Sequence, residues 1–417
     1  HHEKEGSYYT IKQLWSPVQI MNTSIDRQFD GKFSVENRYD YLNLNTCRFL
    51  WKQVKFPQAT DASNTAAQVL KEGEVQGSDV AAHSAGVLDI KTNILANTDA
   101  LYLTAIDKYG HELWRWTFPV DKLNQRTEPI SLLSIRPTYT ETENDLTVKA
   151  NKRTFIFSKK DGQLKGVSVD NRKISFANGP RFIGARRADR SLDQFYNHDD
   201  EKAKEKDRTY SEFPDAAVFT KLDVKQDGGD LIVTANYKLG NLDKAQWTIS
   251  PSGDLVLDYT YNFSGVVDLM GICFDYPEDQ VISKRWLGAG PYRVWQNRIH
   301  GTQYDVWEND YNDPIPGETF TYPEFKGYFG DVSWMNIRTK EGIISLTNET
   351  PDAYVGIYQP RDGRDRLLYT LPESGISLLN VIPPVRNKVN STDLCGPSSQ
   401  PKWVNGPQTG RIVFRFM

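Results

Sequence analysis

The chain has 417 residues, more than one hydrophobic core usually organises, so two or three domains are expected. With 38% hydrophobic and 25% charged residues its composition is that of a globular protein, and 50 basic against 54 acidic side chains, spread along the chain, offer no basic face to a nucleic acid. No apolar run is long enough to cross a bilayer, and the compartment stays open between a periplasmic or secreted location and a cytoplasmic one.

The first element is helical. In "YYTIKQLW", apolar residues at 8, 11, 14 and 15 keep helical spacing, and Ser16-Pro17 stops the helix. After Pro17 the pattern changes to short β-rich runs such as "KFSVENRYDY", "RFLWKQVKF", "GVLDIKTN", "ALYLTAIDKY" and "ELWRWTFPV", divided by Gly, Asn, Asp and Ser clusters. Alternation of Leu101, Leu103 and Ala105 against Tyr102, Thr104 and Ile106 suits a two-sheet sandwich, and its span is immunoglobulin-like in size. "SLLSIRPTYTETEND", 131 to 145, reads as a linker. Strands then continue to "RIVFRFM", with a hairpin turn at Lys160-Asp161-Gly162-Gln163, where Asp-Gly suits a tight turn. Ala185 to Arg208 is nearly all charge at its centre and reads as a solvated loop or surface helix. No repeat and no βαβ alternation occurs, which excludes a Rossmann domain or a TIM barrel within this chain and predicts an all-β protein.

Chemistry is harder to find. Glycoside hydrolysis needs two carboxylates across the scissile bond, and among 54 acidic residues spacing alone selects no pair. Asn348-Glu349 reads as a strand terminus. His83, His111, His198 and His300 are isolated, and Cys47, Cys273 and Cys395 lack CxxC spacing, so no metal site is expected and a single disulfide stays open. No GxSxG elbow or Gly-rich phosphate loop is present, so no cofactor is expected. What remains is aromatic surface: Trp286, Trp295, Trp307, Trp334 and Trp403, with Tyr292, Tyr304, Tyr311 and Tyr322. Sugars stack on such rings while Asn, Asp and Arg bond their hydroxyls, although core packing explains any single ring equally well.

"WLGAGP" at 286 to 291, followed by Trp295 and Arg298, resembles the WLGxGP-x-E-x-Y-x-D-R signature in the last domain of family-two β-galactosidases, the small chain. Three further stretches agree in order: "SYYTIKQLWSPVQI" is similar to the seam where that family's catalytic TIM barrel ends, "FSVENRYDYLNLNTCRFLWKQV" to the first strands of the next sandwich, and "RTFIFSKKDGQLKGVSVDNRKI" to the start of the terminal domain. The resemblance implies an all-β architecture: residues 1–15 as the tail of a catalytic barrel carried elsewhere, 16–136 as an immunoglobulin-like β-sandwich, and 140–417 as a large antiparallel supersandwich of the galactose-mutarotase type. It implies no catalytic residue here, because the family's glutamates lie in the barrel. The implied partners are that barrel, a carbohydrate (a galactoside or a plant or host glycan) and other copies of the chain in an oligomer.

The same resemblance carries a sugar-facing Trp onto Trp403 and an acidic residue onto Asp393, within "NSTDLCGPSSQPKW", and adds Trp295 and Arg298 as substrate-facing candidates, to which the aromatic surface adds Trp307. The loop lacks the family's GGD. Arg293 and Asn297 stand where the signature has Glu and Asp, and "RFIGARRADRSLD" replaces RAPxDND, so Arg186 and Arg187 would suit an acidic sugar. Two alternatives are a free carbohydrate-binding module using the Trp295 to Trp307 surface, and a mutarotase-like epimerase, for which His300 is the one histidine in the aromatic region.

Overall fold

The structure is a computed structural model that describes residues 4, 6–61, 65–120, 135–187, 210–213, 215–310, 327–358, 374–385 and 396–417. Asp393, Cys395, Tyr311, Tyr322 and most of the charged 185–208 stretch lie outside the described residues. The chain divides into two units: His1–Gln125 with Leu287–Tyr292 and Ile299–Trp307, and Arg126–Trp286 with Arg293–Arg298 and Glu308–Met417.

In the first unit, helix α1 (Gly6–Leu14) precedes strands β1 (Val18–Ile20), β2 (Lys32–Asn37), β3 (Arg48–Lys55), β4 (Gln68–Gln76), β5 (Ser84–Asp89), β6 (Ala100–Ile106) and β7 (Glu112–Pro119). Their sheets run β1-β2-β5 and β4-β3-β6-β7. Period-two alternation places Phe33 and Val35 from one sheet and Phe49, Trp51, Leu101 and Leu103 from the other in one core. Strand β6 departs from simple alternation. Its second face is also covered, since Tyr102 and Ile106 are buried, and the Tyr102 hydroxyl donates to Asp305 at 2.8 Å.

The helix forms where its spacing predicts. Tyr8, Ile11, Leu14 and Trp15 form the apolar stripe, yet all four are exposed, Trp15 at 80%. The opposite face makes the contacts: Tyr9 packs on Tyr292 with ring centroids 5.4 Å apart, Thr10 donates to the His300 carbonyl at 2.8 Å, and Gln13 accepts from the Gly301 amide at 2.6 Å. Backbone partners offered by residues 300 and 301 thus decide which face docks.

The second unit begins with β8 (Thr138–Glu141), β9 (Asp145–Ala150), β10 (Arg153–Ser158), β11 (Leu164–Val169), β12 (Arg172–Ile174), β13 (Ala177–Arg187), β14 (Tyr210–Glu212), β15 (Val218–Asp227), β16 (Asp230–Lys238), β17 (Leu242–Ile249), β18 (Leu255–Val267) and β19 (Leu269–Asp275). It continues with β20 (Val281–Gly290), β21 (Gln303–Asn309), β22 (Trp334–Thr339), β23 (Gly342–Asn348), β24 (Tyr354–Tyr358), β25 (Gly375–Val381) and β26 (Lys402–Phe416). Strands β20 and β21 are shared with the first unit. One sheet runs β24-β25-β19-β13-β11-β10-β9-β8, the other β15-β16-β17-β18-β26-β23-β22-β20-β21. The expected linker therefore holds a strand, because the alternating β-formers Thr138, Tyr139 and Thr140 pair with β9 as an exposed edge.

Aromatic rings lock the two sheets together. Phe157 of β10 meets Trp247 of β17 at 5.9 Å, Phe274 of β19 meets Phe414 of β26 at 5.5 Å, and Phe182 of β13 meets Tyr261 of β18 at 5.4 Å. Each such pair contributes about 0.5–1.5 kcal/mol beyond area burial. The all-β, two-layer expectation holds.

Candidate functional site

The candidate site grows out of β20. Burial in this strand is continuous from Ser283 to Gly290 rather than alternating, so Lys284, Arg285 and Trp286 are all buried. Charged side chains tolerate such burial only with partners. Part of the partnership is aromatic: Lys284 Nζ lies 5.7 Å from the Phe329 ring centre, the Arg285 guanidinium 5.2 Å from that of Trp334, and Trp286 packs edge-on against Phe329 at 5.0 Å. A third buried cation, Arg293, lies 5.0 Å from the same Phe329 ring.

After Arg293 the chain makes a tight hairpin. Val294 exchanges backbone hydrogen bonds with Tyr328, and Trp295 exchanges them with Arg298. This turn brings the Arg298 guanidinium to 5.5 Å from the buried Trp295 ring, a cation–π pair. Of the four substrate-facing candidates among the described residues, Trp295 and Arg298 are in contact.

The two residues at the tip hold distant backbone. Asn297 Nδ2 donates to the Val385 carbonyl at 2.7 Å and to Ser399 Oγ at 2.9 Å, while its Oδ1 accepts from the Val385 amide at 2.9 Å. Gln296 Nε2 donates to the Gln400 carbonyl at 2.8 Å, and its amide to that of Pro383 at 3.2 Å. Gln296 Oε1 is buried with no hydrogen-bond partner among the described residues. The hairpin therefore fixes Pro383–Val385 and Ser399–Gln400, which flank the stretch containing Asp393. Sequence reading missed this role, because nothing local marks an Asn or Gln as a partner of backbone 88 to 104 residues away.

Trp403 is the second residue of β26, lies opposite Val266 and is 71% exposed. Trp307 belongs to the first unit, where its indole N–H donates to the carbonyls of Gln303 at 3.0 Å and Gly288 at 3.2 Å. Its ring lies where a side chain at Gly290 would be, since a Cβ there would fall 2.4 Å from Trp307 Cδ1. Trp286 and Trp334 are fully buried core rings. Arg186, on β13 opposite Ser211, is partly buried. His300 is exposed, in the turn before β21. Asn348 ends β23 as expected, accepting from the Thr350 amide at 2.9 Å, and Glu349 pairs with Arg411 at 3.2 Å. Cys47 and Cys273 are buried free thiols. No helix among the described residues is long and apolar enough to cross a membrane.

A chain of stacked antiparallel sheets, with an aromatic and cationic hairpin tying two distant segments of one unit, defines a β-sandwich protein. Residues 149–379, more than half of the sequence, match the beta galactosidase small chain, and the protein belongs to that family. No curated protein matches the sequence. Among solved structures it is similar to a galactose 1-epimerase from Lactobacillus acidophilus NCFM, at 9% identity over 68% of this chain and 99% of that one, with a TM-score of 0.37. It is also similar to the protein HI1317, at 8% identity over 68% and 100%, with a TM-score of 0.32. A third similar structure is a cycloalternan-forming enzyme from Listeria monocytogenes, at 9% identity over 95% and 30%, with a TM-score of 0.21.

Proposed function

We propose that this chain is a C-terminal, non-catalytic portion of a family-two, β-galactosidase-like glycoside hydrolase, which shapes the carbohydrate site of a catalytic barrel carried elsewhere. The observation that carries this reading is the match of residues 149–379 to the beta galactosidase small chain. The arrangement of the hairpin supports it. Asn297 and Gln296 hold Val385, Ser399 and Gln400, the last two just ahead of Trp403, so its exposed indole would be presented to sugar from a braced base. In this reading 16–136 is an immunoglobulin-like sandwich and 140–417 the terminal supersandwich. The exposed stripe of Tyr8, Ile11 and Trp15 is the surface assigned to the barrel, since contiguous apolar patches mark interfaces.

Nitrophenyl glycosides assayed with the isolated chain, and again with a barrel-bearing partner, test the proposal. No turnover is expected alone and turnover is expected with the partner. A rate from the isolated chain that co-purifies with it would overturn the reading. The exposure of Trp403 favours a second reading, a free carbohydrate-binding module. It is distinguished by calorimetric heat with an oligosaccharide and no partner, lost in Trp403→Ala.

A further inference from the structure

Strand β15 is one edge of its sheet in the second unit. β16 pairs along one side of it, and no strand among the described residues pairs along the other. A register shift between Phe219 and Lys221 marks where its regular part starts, and the two-residue turn Gly228-Gly229, with Gly228 at φ +57°, ends it. The regular part is therefore Lys221 to Asp227, with Val224 at its midpoint. Asp227 and Asp230 close the turn as partners. The closing residues of a two-residue hairpin hydrogen-bond to each other, so Lys221, Asp223, Lys225 and Asp227 turn their backbone groups to β16. Leu222, Val224 and Gln226 turn theirs outward.

An edge with exposed backbone groups invites a further strand, and isolated lysines usually discourage one. Here the charges alternate instead. Lys221, Asp223, Lys225 and Asp227 share one face, because side chains repeat every two residues, and all four are more than half exposed. Within the chain they pair along the strand, Lys221 with Asp223 at 2.8 Å and Lys225 with Asp227 at 3.4 Å, and ion pairs this exposed contribute little to stability.

Reversed, Lys-x-Asp-x-Lys-x-Asp carries the opposite sign at every position, so it complements a second copy of itself running antiparallel. With a two-fold axis through Val224, Lys221 meets the partner's Asp227, Asp223 meets the partner's Lys225, and symmetry supplies the two reciprocal pairs. An axis through Asp223 sets Lys221 against the partner's Lys225 and Asp223 against its own copy, like against like. Axes through Leu222 or Gln226 match half as many charges and carry the pairing into the bulge or the turn. Charge and backbone regularity thus select the same register. In it the outward amide and carbonyl of Val224 meet those of the partner's Val224, and Leu222 meets the partner's Gln226 in the same way. The hairpin end fits as well. Asp227 and Asp230 face each other across the turn, and burial, then the Asp227 charge, hold the Asp230 carboxyl above its ordinary value. The partner's Lys221 beside Asp227 offsets that repulsion.

We propose that β15 is a self-association edge: two copies of the chain join antiparallel through Lys221–Asp227 about a two-fold axis at Val224, extending one sheet through both. A seam of one short strand buries less than a standard interface, so the dimer is weak and salt-sensitive. The surface does not depend on the family reading.

Sedimentation equilibrium of the full chain tests it. A monomer–dimer equilibrium is expected at about 10–100 μM protein, weakened about tenfold or more on going from low salt to about 0.5 M salt. Lys221→Glu with Lys225→Glu makes the row wholly acidic, and Asp223→Lys with Asp227→Lys makes it wholly basic. Each double variant alone is expected to lose the dimer, and an equimolar mixture of the two to regain it, because all four pairs are then opposite in sign. A merely structural role of these side chains would not produce that recovery. Thermal melts confirm that each variant folds; where a double variant does not, Lys225→Glu alone, which sets acid against acid at two symmetric positions, reads the same loss. The proposal is overturned by a wild type that stays monomeric at about 100 μM, by a dimer indifferent to salt, by dimerisation undiminished in the folded variants, or by a mixture that stays monomeric.

Discussion

Asn297 illustrates how one side chain can decide a local conformation. Its amide both donates to and accepts from the Val385 backbone, and its second donor reaches Ser399 Oγ. The signature this segment resembles has Asp where Asn297 stands. A carboxylate could still accept from the Val385 amide, but it would face the Val385 carbonyl with no proton to give. Asn297→Ala is therefore expected to destabilise the chain by about 1–3 kcal/mol, since a partly buried carbonyl and hydroxyl are left to find water. Asn297→Asp should be destabilising too, despite its similar shape, and Asn297→Gln should not restore the three bonds. Urea midpoints at constant slope measure all three. If Asn297→Asp matches the wild type, the donor half of this arrangement is unimportant.

At the scale of elements, the WLGAGP stretch shows what packing asks of a strand. Gly290 sits under Trp307, and a methyl group there would overlap the indole, whose N–H is already committed to Gly288 and Gln303. Gly290→Ala is expected to destabilise by about 1–3 kcal/mol through overpacking. Trp307→Leu in the same chain should recover part of that loss, measured as a coupling in a double-mutant cycle. Additive effects would show that the two residues do not touch. Part of this level was legible beforehand: alternation marked β6, and Asp-Gly marked the β10–β11 turn. Other parts were not, for physical reasons. Lys284 and Arg285 are charged, and only a strand covered on both faces hides them. β8 is entirely exposed, so its Thr-rich edge looked like a linker. The stripe on α1 was visible in the sequence, but its direction depended on carbonyls and amides near residue 300. At the hairpin, the signature stretch pointed to Trp295 and Arg298, which pack together, whereas Tyr237 Oη and Arg181 Nε, without a hydrogen-bond partner among the described residues, sit in ordinary strands and become buried only when the sheets stack.

For the whole molecule, the final strand carries a disproportionate structural load. β26 pairs with β18 from Leu255 opposite Phe414 to Val267 opposite Lys402, and its last five residues pair with β23 from Ile344 opposite Phe416 to Asn348 opposite Ile412. It thus sits inside its sheet and sends Phe414 and Phe416, both fully buried, against Phe176 of the opposing layer at 5.2 and 5.3 Å. Sequence showed only its last six residues, within "RIVFRFM", because the preceding Gly-Pro segment has no apolar alternation and is held extended by β18. Pairing between positions so far apart in sequence is slow to form, and a sheet with a gap at its centre exposes two unpaired edges. Removal of residues 402–417 is expected to abolish the cooperative thermal transition of the second unit and drive the chain to aggregate, rather than lower its melting temperature by a few degrees. A synthetic peptide of residues 402–417, added during refolding of the 1–401 chain, should restore β circular dichroism and the transition, because the vacant slot is specified on both sides by register. A truncated chain that melts cooperatively near the wild-type temperature would mean that β18 and β23 can close on each other, and that the aromatic contacts of β26 contribute far less than their burial requires.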